Sequence, residues 1–209
     1  MNKLLLSFLF IIYYFLFSVA PTQDERLIRH QINQAAASLK TMQCDFVQTK
    51  HMKLLNDKMV SRGKMYYQQS DRLRWEYTAP YTYTFILNGS KVLLKNGRRR
   101  DVIDTSQNKM FREIAQIMMN SVVGRCLSDE KDFKATISTT SDEWIATLVP
   151  QRKDMLQMFQ QIVLHFSRRQ AMVSRVELIE NEGDKTIIEL KNIKTNQSLG
   201  SHLFAVEGD

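Results

Sequence analysis

Large apolar residues alternate with polar ones between Gly63 and Gly89, the period of strands that each turn one face inward. Leu73, Trp75 and Tyr77 alternate with Arg74 and Glu76, and Tyr81, Tyr83, Phe85 and Leu87 alternate with Thr82, Thr84, Ile86 and Asn88. Ser70-Asp71, Pro80 and Asn88-Gly89 punctuate the run, so it predicts three consecutive strands. The same period marks residues 42–51, with Met42, Cys44 and Phe46 on one face and Asp45 on the other. Asn56-Asp57 then predicts a turn and 59–68 the returning strand, carrying Met65 and Tyr67, with Gly63 a bulge or bend that lets the sheet curve.

Helical spacing appears twice. Ile28, Ile32, Ala35, Ala36 and Leu39 share one helical face behind Thr22-x-x-Glu25, which has the spacing of a capping box. Residues 108–123 form a second and more apolar helix, in which Met110, Ile114, Ile117, Met118 and Val122 make a stripe, Phe111, Ala115 and Met119 lie beside it and Gly124 ends it. A short strand at 92–95 precedes Asn96-Gly97 and the run Arg98-Arg99-Arg100, which reads as a solvated loop or strand edge rather than a binding patch. Beyond the second helix the chain returns to strands at 133–139, 144–149, 161–167, 174–181 and 186–193. Residues 151–160 are a helical turn or an apolar loop, Glu182-Gly183-Asp184 is a hairpin turn, and 202–206 is expected to close one edge. This succession predicts an α+β domain: one long, curved antiparallel sheet with two helices across its concave side.

Composition narrows the reading. At 209 residues, 44% hydrophobic and 24% charged, the chain is long enough for one domain with a sizeable core. Residues 1–20 stand apart: Lys3 precedes an apolar run from Leu4 to Phe17, and Ser18-Val19-Ala20 offers small residues at a cleavage position. They are read as a signal peptide, with 21–209 the domain. Pro21 directly after the cut hinders cleavage, which keeps an uncleaved inner-membrane anchor as the alternative. Without the leader 28 basic and 22 acidic side chains remain. An exported basic protein is expected to meet anionic headgroups or an acidic partner, not nucleic acid, unless the charge serves only solubility.

Cys44 and Cys126 would reach an oxidising compartment. There they are either bridged or two small buried hydrophobes. The four histidines, His30, His51, His165 and His202, have no ligand spacing, and no hydrolase, metal or phosphate-loop motif occurs. Neither catalysis nor a metal or other cofactor is expected. Ten methionines besides Met1 and the rings of Phe46, Tyr67, Trp75, Tyr77, Tyr83 and Phe85 make up either ordinary core or a pocket that adapts to acyl chains.

The ordered series Met42-Gln43-Cys44-Asp45-Phe46-Val47-Gln48, Gly63, Arg72-Leu73-Arg74-Trp75-Glu76-Tyr77, Pro80 and Asn88-Gly89-x-x-Val92 resembles the periplasmic outer-membrane lipoprotein carriers, the LolA-like family. That resemblance implies an unclosed β-barrel with an α-helical lid. It also implies a periplasmic, monomeric, non-enzymatic carrier that takes acylated lipoproteins from an inner-membrane release complex to an outer-membrane acceptor. The implied acyl-chain cavity comprises Met42, Phe46, Met65, Tyr67, Leu73, Trp75, Tyr77, Tyr83 and Phe85, and the lid comprises Met110, Ile114, Ile117, Met118 and Val122. In the family an Arg-Pro pair before the tryptophan strand locks the lid. Here Gln69 and Ser70 stand in its place, so the latch falls to Gln69 without charge assistance or moves to Arg72 or Arg74, whose plainer reading is solvated outer-face residues. The family's proline pair after the final phenylalanine is also absent after Phe204. A lipid-binding regulatory or accessory domain on the same scaffold, periplasmic or membrane-tethered, is the alternative function.

Overall fold

The structure, a computed structural model, describes residues 23–69, 71–106, 119–120, 123, 125–127 and 132–206. The chain enters through α1 (Gln23–Ser38) and continues into six strands: β1 (Thr41–Met52), β2 (Asp57–Gln68), β3 (Arg72–Ala79), β4 (Tyr83–Asn88), β5 (Lys91–Asn96) and β6 (Arg99–Asp104). Five more follow: β7 (Phe133–Thr139), β8 (Glu143–Pro150), β9 (Phe159–Ser167), β10 (Met172–Glu180) and β11 (Lys185–Thr195). A one-turn helix, α2 (Lys153–Leu156), lies between β8 and β9.

All eleven strands belong to one antiparallel sheet in the order β6-β5-β4-β3-β2-β1-β11-β10-β9-β8-β7. β1 pairs with β11, which brings the two halves of the chain together at the centre, while β6 and β7 end the sheet without pairing to each other. The sheet is therefore unclosed. The arginine run opens the edge strand β6, which is the strand-edge reading of that run. Predicted turns hold left-handed residues where the backbone reverses, at Asn56, Asp71, Gly89 and Gly97.

Gly63 lies where the β2–β3 register slips, between Arg62↔Ala79 and Gly63↔Tyr77. A side chain there would meet the Glu76 carbonyl oxygen and, at 2.5 Å, the ring of Phe46, so only glycine lets the ring lie on the strand. Ile28, Ile32, Ala36 and Leu39 of the α1 segment are buried against the concave face, as their spacing predicts. Tyr81 departs from the prediction: β4 starts two residues later, and Tyr81 sits exposed in the turn after Pro80.

The C-terminal segment also departs from its predicted place at an edge. Phe204 and Val206 lie on the outer face of the sheet with Ile86 and Leu93, forming a second apolar cluster that Tyr66, Leu199 and Leu203 border. Asn88 donates to the Phe204 carbonyl at 3.0 Å and Arg74 to that of Leu203 at 3.3 Å. The physical reason is the pleat: Ile86 and Leu93 point away from the main core, so a further piece of chain has to cover them.

Candidate functional site

Pleat alternation places Met42, Phe46, Met65, Tyr67, Leu73, Trp75, Tyr77, Tyr83 and Phe85 on the concave face of β1 to β4. Six of them are buried to 3% exposure or less, and Tyr77, Tyr83 and Phe85 are partly exposed. Phe46 stacks on Trp75 with ring centres 4.4 Å apart and meets Tyr77 edge-on at 5.2 Å. Gln48 accepts the Tyr77 hydroxyl at 2.9 Å.

The other half of the sheet completes the wall with Trp144, Ala146, Leu148, Ile162, Leu164 and Phe166, all in the same apolar cluster. The nine-residue set did not include these, although Trp144, Ala146 and Leu148, and likewise Ile162, Leu164 and Phe166, recur at every second position. Over this wall lie α1 and the buried side chains of Met119, Val123 and Leu127. Met110, Ile114, Ile117, Met118 and Val122, the predicted lid stripe, lie outside the described residues.

The wall carries no charge. Burial is the leading cause that raises the Tyr67, Tyr77 and Tyr83 phenols, and burial followed by the Asp45 carboxylate pushes the Cys44 thiol up to about 12. Cys44 is a free, buried thiol, so the alternative of a bridge to Cys126 is not realised at this residue. The Tyr67 hydroxyl is buried with no hydrogen-bond partner. Among the described residues no group of three or more histidine, cysteine or acidic side chains is placed to hold a metal.

The latch candidates fall elsewhere. Arg72 and Arg74 alternate with the inward Leu73 and Trp75 and therefore project to the outer face, where Arg74 pairs with Glu76 at 2.9 Å and holds the C-terminal segment. The lid stripe that a latch would hold lies outside the described residues. Gln69 is exposed, and its backbone N–H donates to the Lys40 carbonyl at 2.7 Å. What ties α1 to the sheet is Arg29, held by Glu25 at 2.8 Å and donating to the Ala135 carbonyl at 2.7 Å. The i,i+4 spacing of Glu25 and Arg29 is the sequence signal for the pair, but nothing in the sequence marks Ala135 as its target.

The family model described as outer membrane lipoprotein carrier protein LolA matches residues 37–207. An outer-membrane lipoprotein carrier protein of Coxiella burnetii is 27% identical over 207 residues, covering 97% of this chain and 92% of that protein. One from Legionella pneumophila is 26% identical over 206 residues, covering 98% and 94%. Among solved structures, an uncharacterised conserved protein of Thermus thermophilus superposes with a TM-score of 0.54 at 10% identity, over 90% of this chain and 96% of that one, a likeness of fold. The extent of the family match, together with an unclosed sheet roofed by a helix, places the chain in the outer membrane lipoprotein carrier family.

Proposed function

We propose that the concave face takes the acyl chains of lipoproteins and that the protein ferries them, as a monomer and without a cofactor, through the periplasm. Cargo is received from an inner-membrane release complex and handed to an outer-membrane acceptor. The observation that carries this reading is the uncharged wall running across both halves of the sheet beneath α1. Such a wall is suited to hydrocarbon and offers no ionised group to a reaction.

Energetics explain why the interior is filled. At about 0.8 kcal/mol per methylene, one chain of about fourteen methylenes gains on the order of 11 kcal/mol on leaving water. A carrier with an empty hollow would hold several such chains almost irreversibly. Met42, Met65 and Leu73 have no exposed surface, so cargo must displace side chains already packed there and part of its transfer energy is recovered. In this reading Met110, Ile114, Ile117 and Met118 compete with cargo for Phe46, Trp75 and Phe85.

The test is mild purification of the exported protein followed by mass spectrometry of what travels with it. Triacylated lipoproteins are expected. Free lipid alone would favour the regulatory or accessory alternative, and an Ile117→Asp variant with unchanged lipid uptake would overturn the competing lid.

A further inference from the structure

The two rims of the sheet differ in a way that carrying cargo does not require. One rim holds the β1–β2, β3–β4, β5–β6 and β10–β11 turns and the β8–β9 segment with α2. Nine large apolar side chains are exposed among the described residues, and seven of them, Leu54, Leu55, Met59, Tyr81, Val149, Leu156 and Met158, lie in or beside those connections. Leu54 and Leu55, at the tip of the β1–β2 hairpin, are 94% and 67% exposed. The opposite rim turns through Gln69 and Asp71, Gly89-Ser90, Thr140-Ser141-Asp142 and Arg168-Arg169-Gln170, with no exposed large apolar side chain among its described residues. Single exposed leucines are ordinary on a protein surface. Seven apolar side chains on one rim and none on the other are not.

Hydrogen bonds tie three of these connections together. Lys53 N–H donates to the Asp184 carboxylate at 3.0 Å, joining the leucine hairpin to the β10–β11 turn, and the Asn181 amide donates to the Leu156 carbonyl at 2.6 Å, joining that turn to α2. On the β3 side the hairpin stands clear of its neighbour, because β3 pairing reaches only to Arg62↔Ala79. Five residues of β2 lie beyond that pair, about 16 Å at the rise of a strand.

Charge selects the occupant. In and beside the β1–β2 and β5–β6 turns, Lys53, Lys58, Arg98, Arg99 and Arg100 outnumber Asp57 and Asp101, while the neighbouring β10–β11 turn adds the acidic Glu182 and Asp184. Apolar tips dispersed over several turns and flanked by long cationic side chains fit a flat interface with anionic headgroups, in which leucines enter the acyl boundary and lysines stay at headgroup level. They form no groove for a peptide.

We infer that this rim docks the protein reversibly on a phospholipid bilayer, with Leu54 and Leu55 inserted below the headgroups. The test uses the full chain carrying an environment-sensitive fluorophore on Leu54→Cys, compared with Ser141→Cys on the opposite rim and with the unsubstituted chain as blank for native cysteines. Vesicles of phosphatidylethanolamine with a minority of phosphatidylglycerol are added. Emission from position 54 is expected to rise and shift to the blue while position 141 stays as in water, and the pair Leu54→Asp and Leu55→Asp is expected to weaken vesicle binding by about tenfold or more. Equal responses from both rims, no response from either, or unchanged binding by the aspartate pair would overturn the inference. So would a response at position 54 to added protein in the absence of vesicles, which would make the rim a contact between copies. None of these outcomes depends on whether the interior accepts acyl chains.

Discussion

The first half of the sheet, β1 to β6, and the second, β7 to β11, share one concave wall but treat their outer faces in opposite ways. Behind β4 and β5 the outer face is apolar, with Ile86 and Leu93 buried at 2% and 3% exposure beneath the C-terminal segment. Behind β8 to β11 it is a charged network. His165, 5% exposed, lies between Glu143 at 2.9 Å and Glu177 at 3.2 Å, Arg175 spans both carboxylates, and Lys185 reaches Glu177 at 2.6 Å. A sheet face without a second layer has to be either covered or solvated, and this chain does one on each side. Covering makes stability depend on a distant piece of chain. Solvating makes it depend on pH.

The largest difference is expected on the covered side. Phe204 is 1% exposed and closes the outer cluster, so Phe204→Ala leaves a cavity over Ile86 and Leu93 and loosens the Asn88 and Arg74 hydrogen bonds to the segment. A loss of about 3–5 kcal/mol is expected from the size of the ring, read as a lower urea midpoint. A midpoint that stayed put would mean that the segment does not cover the sheet in solution.

A smaller, pH-dependent effect is expected on the charged side. Burial alone would raise the Glu177 carboxyl, but the hydrogen bond from Lys185 and the charges of Lys185, His165 and Arg175 together hold it below the ordinary 4.5. A carboxylate whose folded pKa is depressed stabilises the fold above its unfolded pKa, and that stabilisation is lost as pH falls through the folded value. Glu177→Gln should therefore cost about 1–3 kcal/mol near neutrality. Wild type and variant should converge in acid, below about 4.5. A gap that stayed constant across an acid titration of the urea midpoint would show that the carboxylate's charge does not matter.

How far the sequence reveals this design follows from the range of each interaction. Period-two alternation depends on near neighbours, so the inward set from Met42 to Phe85 and the turns at Asn56, Asp71, Gly89 and Gly97 can be read directly. Alternation states which residues share a face but not what covers the other one. Thr84, Ile86 and Asn88 look like a solvent face until residues 204–206, more than a hundred positions away, are laid on them. The tie between α1 and the sheet shows the same gap. Arg72 and Arg74 face outward by the same pleat that turns Trp75 inward, whereas Arg29 finds its partner in a carbonyl of β7 that no side-chain pattern marks. The membrane-facing rim is legible only in part, since Leu54-Leu55 beside Asn56-Asp57 reads simply as a turn until strand order shows which turns share an end.

The smallest expected effect bears on the concave wall itself, where the two halves differ again. His165 on the outer face of the second half has partners for its ring nitrogens, whereas the Tyr67 hydroxyl, in a residue 1% exposed, has none. An unpaired buried hydroxyl has surrendered its water without replacement, so deleting it forfeits nothing. Tyr67→Phe should leave the urea midpoint unchanged or raise stability by up to about 1 kcal/mol, the reverse of Glu177→Gln. Phenylalanine keeps the ring against its neighbours, so no cavity confuses the reading. A clear loss of stability would reveal a hydrogen bond that the hydroxyl makes in solution. An unchanged or tighter fold would mean that the wall carries an open donor at a position where apolar packing alone would favour phenylalanine.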